Sequence, residues 1–136
     1  MVEKCLLDTD ILTAYLRQNH NVVSHVNSYL KTYDQLSIST ITYYEIVRGL
    51  RYVKAITQLS RFMQFVGEHE LIPLDLEALD KSAEIYIHLR QKGQMINEGD
   101  IFIAGTALAH GYKLVTNNRR HFDRISGLQS ENWMVE

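Results

Sequence analysis

Short apolar runs alternate with longer stretches of helical periodicity along this chain. Residues 4–7 (KCLL), 36–39 (LSIS) and 113–116 (KLVT) are too short for helices and are bounded by polar or turn residues, which predicts three strands. Residues 71–74 (LIPL) and 133–135 (WMV) are weaker strand candidates, and Pro73, which lacks a ladder donor, assigns its strand to a sheet edge. Helical patterns occupy 10–17 and onward into the early thirties, then 40–52, 54–68, 75–92 and 98–110. Strands separated by helices imply parallel pairing through crossovers, hence an α/β sandwich with a central parallel sheet.

Two of the helical segments differ in character. In the segment 40–52, Tyr43, Ile46, Val47 and Leu50 follow the i, i+3, i+4, i+7 spacing of a buried face, with Glu45 on the opposite side. The segment that begins near Asp100 reads IFIAGTALA and is apolar around nearly its whole circumference, which predicts the most buried helix of the fold.

At 136 residues, with one proline, seven glycines and no Gly/Ser-rich or repetitive stretch, the chain is expected to form one domain over residues 1–136. Its single cysteine, Cys5, lies in the first apolar run and has no partner for a disulfide, which suits a reducing cytoplasm. No signal peptide and no long apolar segment is present, so a soluble, intracellular protein that avoids membranes is expected. The formal charge of -2 excludes a generic nucleic-acid coating protein, whose broad positive field attracts phosphates, but not an enzyme that meets RNA over one patch. Two such basic groups exist: Arg48, Arg51, Lys54 and Arg61, then Lys113, Arg119, Arg120 and Arg124.

Ligands of open parallel sheets bind outside the carboxyl ends of the strands, so acids just after strand runs carry the candidate chemistry. Asp8 follows CLL directly, and Asp10 is the better candidate to cap the helix that follows. Asp100 opens the apolar helix, where Asn97-Glu98-Gly99-Asp100 also fits a variant capping box with Asn97 as the cap. If Asp8 and Asp100 converge, their mutual repulsion calls for a cation. The ligand chemistry of carboxylates and amides then selects a hard ion, magnesium or manganese. His20, His25, His69, His88, His110 and His121 lack paired zinc spacing and are assigned to surface or packing roles. Glu45, opposite an apolar stripe, is by periodicity only a solvated glutamate.

Four blocks together resemble the PIN-domain nucleases, and within them the VapC-type toxins of toxin–antitoxin pairs. They are LLDTDIL at 6–12, SISTITYYEIVRGL at 37–50, GDIFIAGTALAHGYKLVTNN at 99–118 and RRHFDRI at 119–125, and the similarity spans nearly the whole chain. The resemblance implies a PIN-like three-layer sandwich with acids gathered at one end of the sheet. It also implies magnesium-dependent cleavage of single-stranded RNA, transfer RNA among the candidates, with manganese as a substitute. By motif position Asp8, Glu45 and Asp100 match the three main acids, Asp8 and Asp100 as metal ligands, with Thr116 as the hydroxyl lining the site. Three positions depart from the pattern: Asp10 where the family commonly has Asn, Asn118 where it frequently has Asp, and His121 in place of an acid before Phe122. A VapB-like antitoxin, operator DNA reached through that antitoxin, and a homodimer are likewise implied.

Three other readings stay open at this level. The DxD of LLDTD after an apolar strand also fits a haloacid-dehalogenase-like phosphatase, although Leu12 stands where that motif has Thr or Val. A phosphorylation receiver has comparable length and early acids. A PIN fold that has lost activity and serves only as an interaction module is the third.

Overall fold

The computed structural model describes residues 3–135. The chain runs β1 (Cys5–Leu7), α1 (Thr9–Leu16), α2 (His20–Tyr29), β2 (Ser37–Ser39), α3 (Thr40–Tyr52), α4 (Ile56–Glu68), β3 (Glu70–Ile72), α5 (Leu76–Lys92), α6 (Glu98–His110), β4 (Lys113–Val115), α7 (Arg119–Phe122) and β5 (Ser130–Glu131). The strands form one sheet in the order β3-β2-β1-β4-β5, with every neighbouring pair parallel. Register places Leu7 beside Ile38 on one side and Val115 on the other.

Alternation along the strands divides the core into two. Cys5, Leu7, Ile38 and Val115 face a cluster completed by α1 to α4, including Ile11, Val26, Val47 and Phe62. Leu6 and Leu114 face the other cluster, built on Ile85 and Leu89 of α5 and Ile103, Ala104 and Ala107 of α6. Helices therefore cover both faces of the sheet, and the expected three-layer α/β sandwich is present. Helix α6 buries six residues from Ile101 to Ala107 and is the most enclosed helix, as its uniform apolarity predicts. Gly105 lets it approach α5, because a Cβ there would collide with the Ser82 hydroxyl.

Four sequence expectations change. The first helical stretch is two helices, because Gln18 takes a left-handed φ of 62° and Asn19 then caps α2 by accepting from the Val22 N–H. The strand expected at 133–135 lies instead at Ser130–Glu131, and Trp133 turns inward to stack on His25 at 5.7 Å. Asp8, not Asp10, is the N-cap of α1: its φ of -68° and ψ of 160° are extended, and its carboxylate accepts from the Thr9 N–H. Helix α7 carries no long periodic pattern and escaped prediction. Strand β3 does sit at the sheet edge, with Pro73 just past its end. Among the described residues, no helix is long and apolar enough to cross a membrane.

Candidate active site

Connectivity puts the acids together. The chain leaves β1 toward β2 and β3, then returns to the other side of β1 with β4, so the strand order reverses between β1 and β4. Asp8 follows β1 and Thr116 follows β4 at that switch point. Helices α1 and α3 start where β1 and β2 end, and α6 runs down to the start of β4, so the N-termini of all three helices meet the same crevice. Their partial positive ends favour anions there.

Asp8 is buried, 6% exposed, and is held from two sides. Its Oδ1 accepts from the Thr9 N–H at 2.8 Å, and its Oδ2 accepts from the Thr116 hydroxyl at 2.8 Å. Thr116 Oγ1 in turn accepts from the Asn118 N–H at 3.0 Å, so backbone polarises hydroxyl and hydroxyl orients carboxylate. Two residues after Asp8, Asp10 reaches the loop beyond β4, where its Oδ2 accepts from the Asn117 N–H at 3.2 Å. Its Oδ1 is buried without a hydrogen-bond partner.

Glu45 does not simply face solvent. Thr9 donates its hydroxyl to Glu45 Oε1 at 2.6 Å, and because a carboxylate only accepts, Thr9 must itself accept from Thr42 at 3.0 Å. The Ser39 hydroxyl stands behind Thr42 at 3.3 Å. Glycine at position 99 gives the carboxylate room at the head of α6, since a Cβ there would lie 2.9 Å from Glu45 Oε2. Asp100 is fixed by the predicted cap: its N–H donates to Asn97 Oδ1 at 2.9 Å, while Asn97 Nδ2 donates to Asp100 Oδ2 at 3.0 Å. His121 Nδ1 stands 3.6 Å from the same Oδ2 and 2.7 Å from Asn118 Nδ2, so this histidine belongs to the crevice and not to the surface or packing class.

Charge is poorly compensated here. Burial, then the charge of Asp10, pushes the Asp8 carboxyl up to about 7 despite the Thr116 and Thr9 bonds that favour its ionised form. Asp10 and Asp100 are also raised, each chiefly by burial, with Glu45 adding to the rise at Asp100. Among the described residues, no Lys or Arg forms an ion pair with any of these four acids. Nor, among them, do three His, Cys, Asp or Glu side chains alone form a group that could hold a metal. Magnesium commonly takes only one or two carboxylates and keeps several waters, so such a cage is not required. An orphaned carboxylate oxygen beside a buried, reluctantly ionised aspartate is the donor set a hard divalent cation fits.

The basic groups are only partly free to meet a phosphate backbone. Lys113 pairs with Glu131 at 3.5 Å, Arg119 donates to the Ser130 hydroxyl at 3.2 Å, and Arg124 donates to the Gln94 and Met95 carbonyls. Arg120 is exposed. On α3, Arg48 lies over the Tyr44 ring at 5.1 Å. Of the tyrosines open to either stacking or packing, Tyr43 packs on Phe62 at 5.9 Å, whereas Tyr52 is 87% exposed.

Sequence reasoning missed Asp10, Asn97 as a partner of the Asp100 carboxylate, Gly99 and His121. All four fall within three residues of an assigned acid or of Asn118, which was the available signal.

Comparison with known proteins identifies the family of the chain. The family model for the PIN domain matches residues 5–128. Ribonuclease VapC1 of Methanocaldococcus jannaschii is 30% identical over 122 residues, covering 90% of this chain and 81% of that protein. The tRNA(fMet)-specific endonuclease VapC of Salmonella typhimurium is 33% identical over 100 residues, 73% of this chain and 76% of that protein. A chain in the crystal structure of VapBC2 from Rickettsia felis, bound to a promoter DNA fragment, superposes with a TM-score of 0.87 at 28% identity. That match covers 95% of this chain and 98% of the other.

Proposed function

The chain belongs to the PIN-domain family, in its VapC-type branch, and from that premise we propose that it is a magnesium-dependent endoribonuclease toxin neutralised by a cognate antitoxin. The observation that carries this reading is the uncompensated set of acids at the switch point of the sheet, two of them on the ends of β1 and α6. Family membership disfavours the aspartyl-phosphate chemistries that LLDTD alone leaves open.

Asp8 and Asp100 would hold the cation, with manganese as a substitute for magnesium. When bound, the ion supplies compact positive charge that acidifies water and offsets charge on phosphate oxygens during an in-line displacement. The chain's own residues set the geometry. Thr116 and the Thr9 N–H hold the Asp8 carboxylate, so its lone pairs are aimed before substrate arrives. Asn97 does the same for Asp100. Glu45, steered by Thr9, accepts a proton or hydrogen bond from water at the mouth of the crevice. The amide of Asn118 is neutral, so it positions His121 without adding charge.

An RNA substrate, a VapB-like antitoxin that occludes the crevice, operator DNA engaged through that antitoxin, and a homodimer complete the proposal; the Rickettsia felis relative is a VapBC pair bound to promoter DNA. Sequencing the RNA ends made by purified parent and Asp100→Asn protein tests it. Defined ends are expected from the parent, abolished by EDTA and restored by magnesium. The variant should lose at least roughly a hundredfold in rate, about 3 kcal/mol of transition-state stabilisation. Chelator-resistant cleavage, or a fully active variant, would refute the assignment, and no cleavage at all would leave the inactive interaction module as the better reading.

A further inference from the structure

We propose that Asp10 is a ligand of the cation, so that Asp8 and Asp10 form a carboxylate pair at the end of β1. The proposal rests on the crevice being a divalent-cation centre, and it adds a residue whose expected role was only to cap a helix. That role belongs to Asp8, whose carboxylate receives the Thr9 N–H.

The hydrogen bonding of Asp10 is half complete. Its Oδ2 accepts from the Asn117 N–H at 3.2 Å, which ties it to the loop after β4. Its Oδ1 is sequestered from solvent with no donor facing it. The nearby Ile11 N–H is given to the Asp8 carbonyl oxygen at 3.1 Å. Buried carboxylate oxygens without a partner are costly and rare, and one in a native protein calls for a missing donor, water or ion.

A favourable interaction with the N-terminus of α1 explains an acid in that first turn but not a buried, unpartnered oxygen. The neighbouring charge narrows the choice further. Asp8, buried at the end of β1 two residues earlier, supplies a second carboxylate to the same crevice. A divalent ion between the two carboxylates would satisfy the orphaned oxygen and remove their repulsion together. A water would satisfy only the first. Access exists, because Asp10 borders an open cavity of about 450 Å³, shared with Arg17, Asn19 and Asn117.

The test measures cation binding and not turnover. Calorimetric titration of Mn²⁺ into the parent, Asp8→Asn, Asp10→Asn and Glu77→Gln, a first-turn acid of α5, compares the sites. Parent and Glu77→Gln should bind alike, and Asp10→Asn should bind at least about tenfold more weakly, the scale on which groups around a metal site alter its affinity. In parallel, Mg²⁺ titration of ¹³C-labelled parent should move the Asp10 carboxyl carbon together with that of Asp8, a readout that needs no variant to fold. Loss of affinity in Asp8→Asn with none in Asp10→Asn, or a carboxyl shift at Asp8 and Asp100 without one at Asp10, would overturn the Asp10 assignment alone. Absence of binding by the parent would overturn the cation-centre reading and this assignment with it.

Discussion

Replacing Asp8 by asparagine should stabilise the cation-free protein near neutral pH while removing its proposed activity. The Asp8 carboxyl is raised from the ordinary 3.8 to about 7, so the folded state retains a proton that the unfolded chain releases. For an acid whose folded value is raised, the associated stability is complete below 3.8 and is lost as pH rises through about 7. The rise corresponds to about 4 kcal/mol of cost for carrying the charge at pH 8. Asparagine avoids that cost but weakens the acceptors facing Thr9 and Thr116, a loss of about 1–2 kcal/mol in total. A net gain of about 2 kcal/mol at pH 8 remains, shrinking toward zero at pH 5, where the parent's Asp8 is already protonated.

Urea unfolding of both proteins in EDTA at pH 5 and pH 8 measures this directly. Adding magnesium should reverse the ranking at pH 8, because only the parent binds it well and ligand binding to the native state adds stability. An Asp8→Asn protein less stable than the parent at pH 8 in EDTA would refute the reasoning. It would show that Asp8 serves mainly as a helix cap and hydrogen-bond hub whose charge the fold already tolerates.

Gly99→Ala places a Cβ 2.9 Å from Glu45 Oε2 and should swing that flexible side chain off Thr9, lowering RNA cleavage about tenfold while shifting the denaturation midpoint little; unchanged cleavage would remove Glu45 from the mechanism. Thr116→Val deletes the donor to Asp8 and the acceptor of the Asn118 N–H, so a loss of about 1–3 kcal/mol in stability is expected by chemical denaturation, with weaker magnesium binding by calorimetry. Far from the crevice, Glu70 Oε1 accepts from Ser37 at 2.6 Å and Tyr112 at 3.0 Å and pairs with Lys4 at 3.3 Å, which holds its carboxyl below 4.5. Glu70→Ala should cost about 1–3 kcal/mol at pH 7, and the gap should close as pH falls below 4.5 through the lowered folded value; a pH-independent gap would contradict the assigned charge.

The layers of the fold were legible because β1, β2 and β4 lie in short apolar runs and each long helix keeps one period. Helix α3 spans Thr40–Tyr52 as its pattern predicts, and α6 spans Glu98–His110 with Asn97 as its cap. Periodicity could not show the break between α1 and α2, because it depends on one left-handed residue, Gln18, which is not a glycine. Local pattern also misplaced the last strand, since Trp133-Met134-Val135 is apolar while the pairing to β4 is made by Ser130 and Glu131. In the crevice, Asp8 and Asp100 were recognisable from their place beside a strand and at a helix head. Glu45 was not, because its role depends on Thr9 of another helix.

The cap exchange at the end of β1 connects fold to chemistry. Had Asp10 capped α1, its carboxylate would be spent on backbone N–H groups and Asp8 would stand alone in the crevice. With Asp8 as cap and Thr116 as its second donor, one aspartate is fully oriented by the scaffold. The other is left with a free, buried oxygen two residues on, tied across the crevice to Asn117. This second acid stands where the family commonly has Asn, while Asn118, on the loop it contacts, stands where the family frequently has Asp. If Asp10 holds the cation as proposed, it supplies from the first turn of α1 the carboxylate missing after β4, and the backbone bond from Asn117 joins the two positions. Negative charge at the switch point is kept in this way, and the charge of Asp10 adds to burial in holding the Asp8 carboxyl above its ordinary range until a proton or a cation neutralises it.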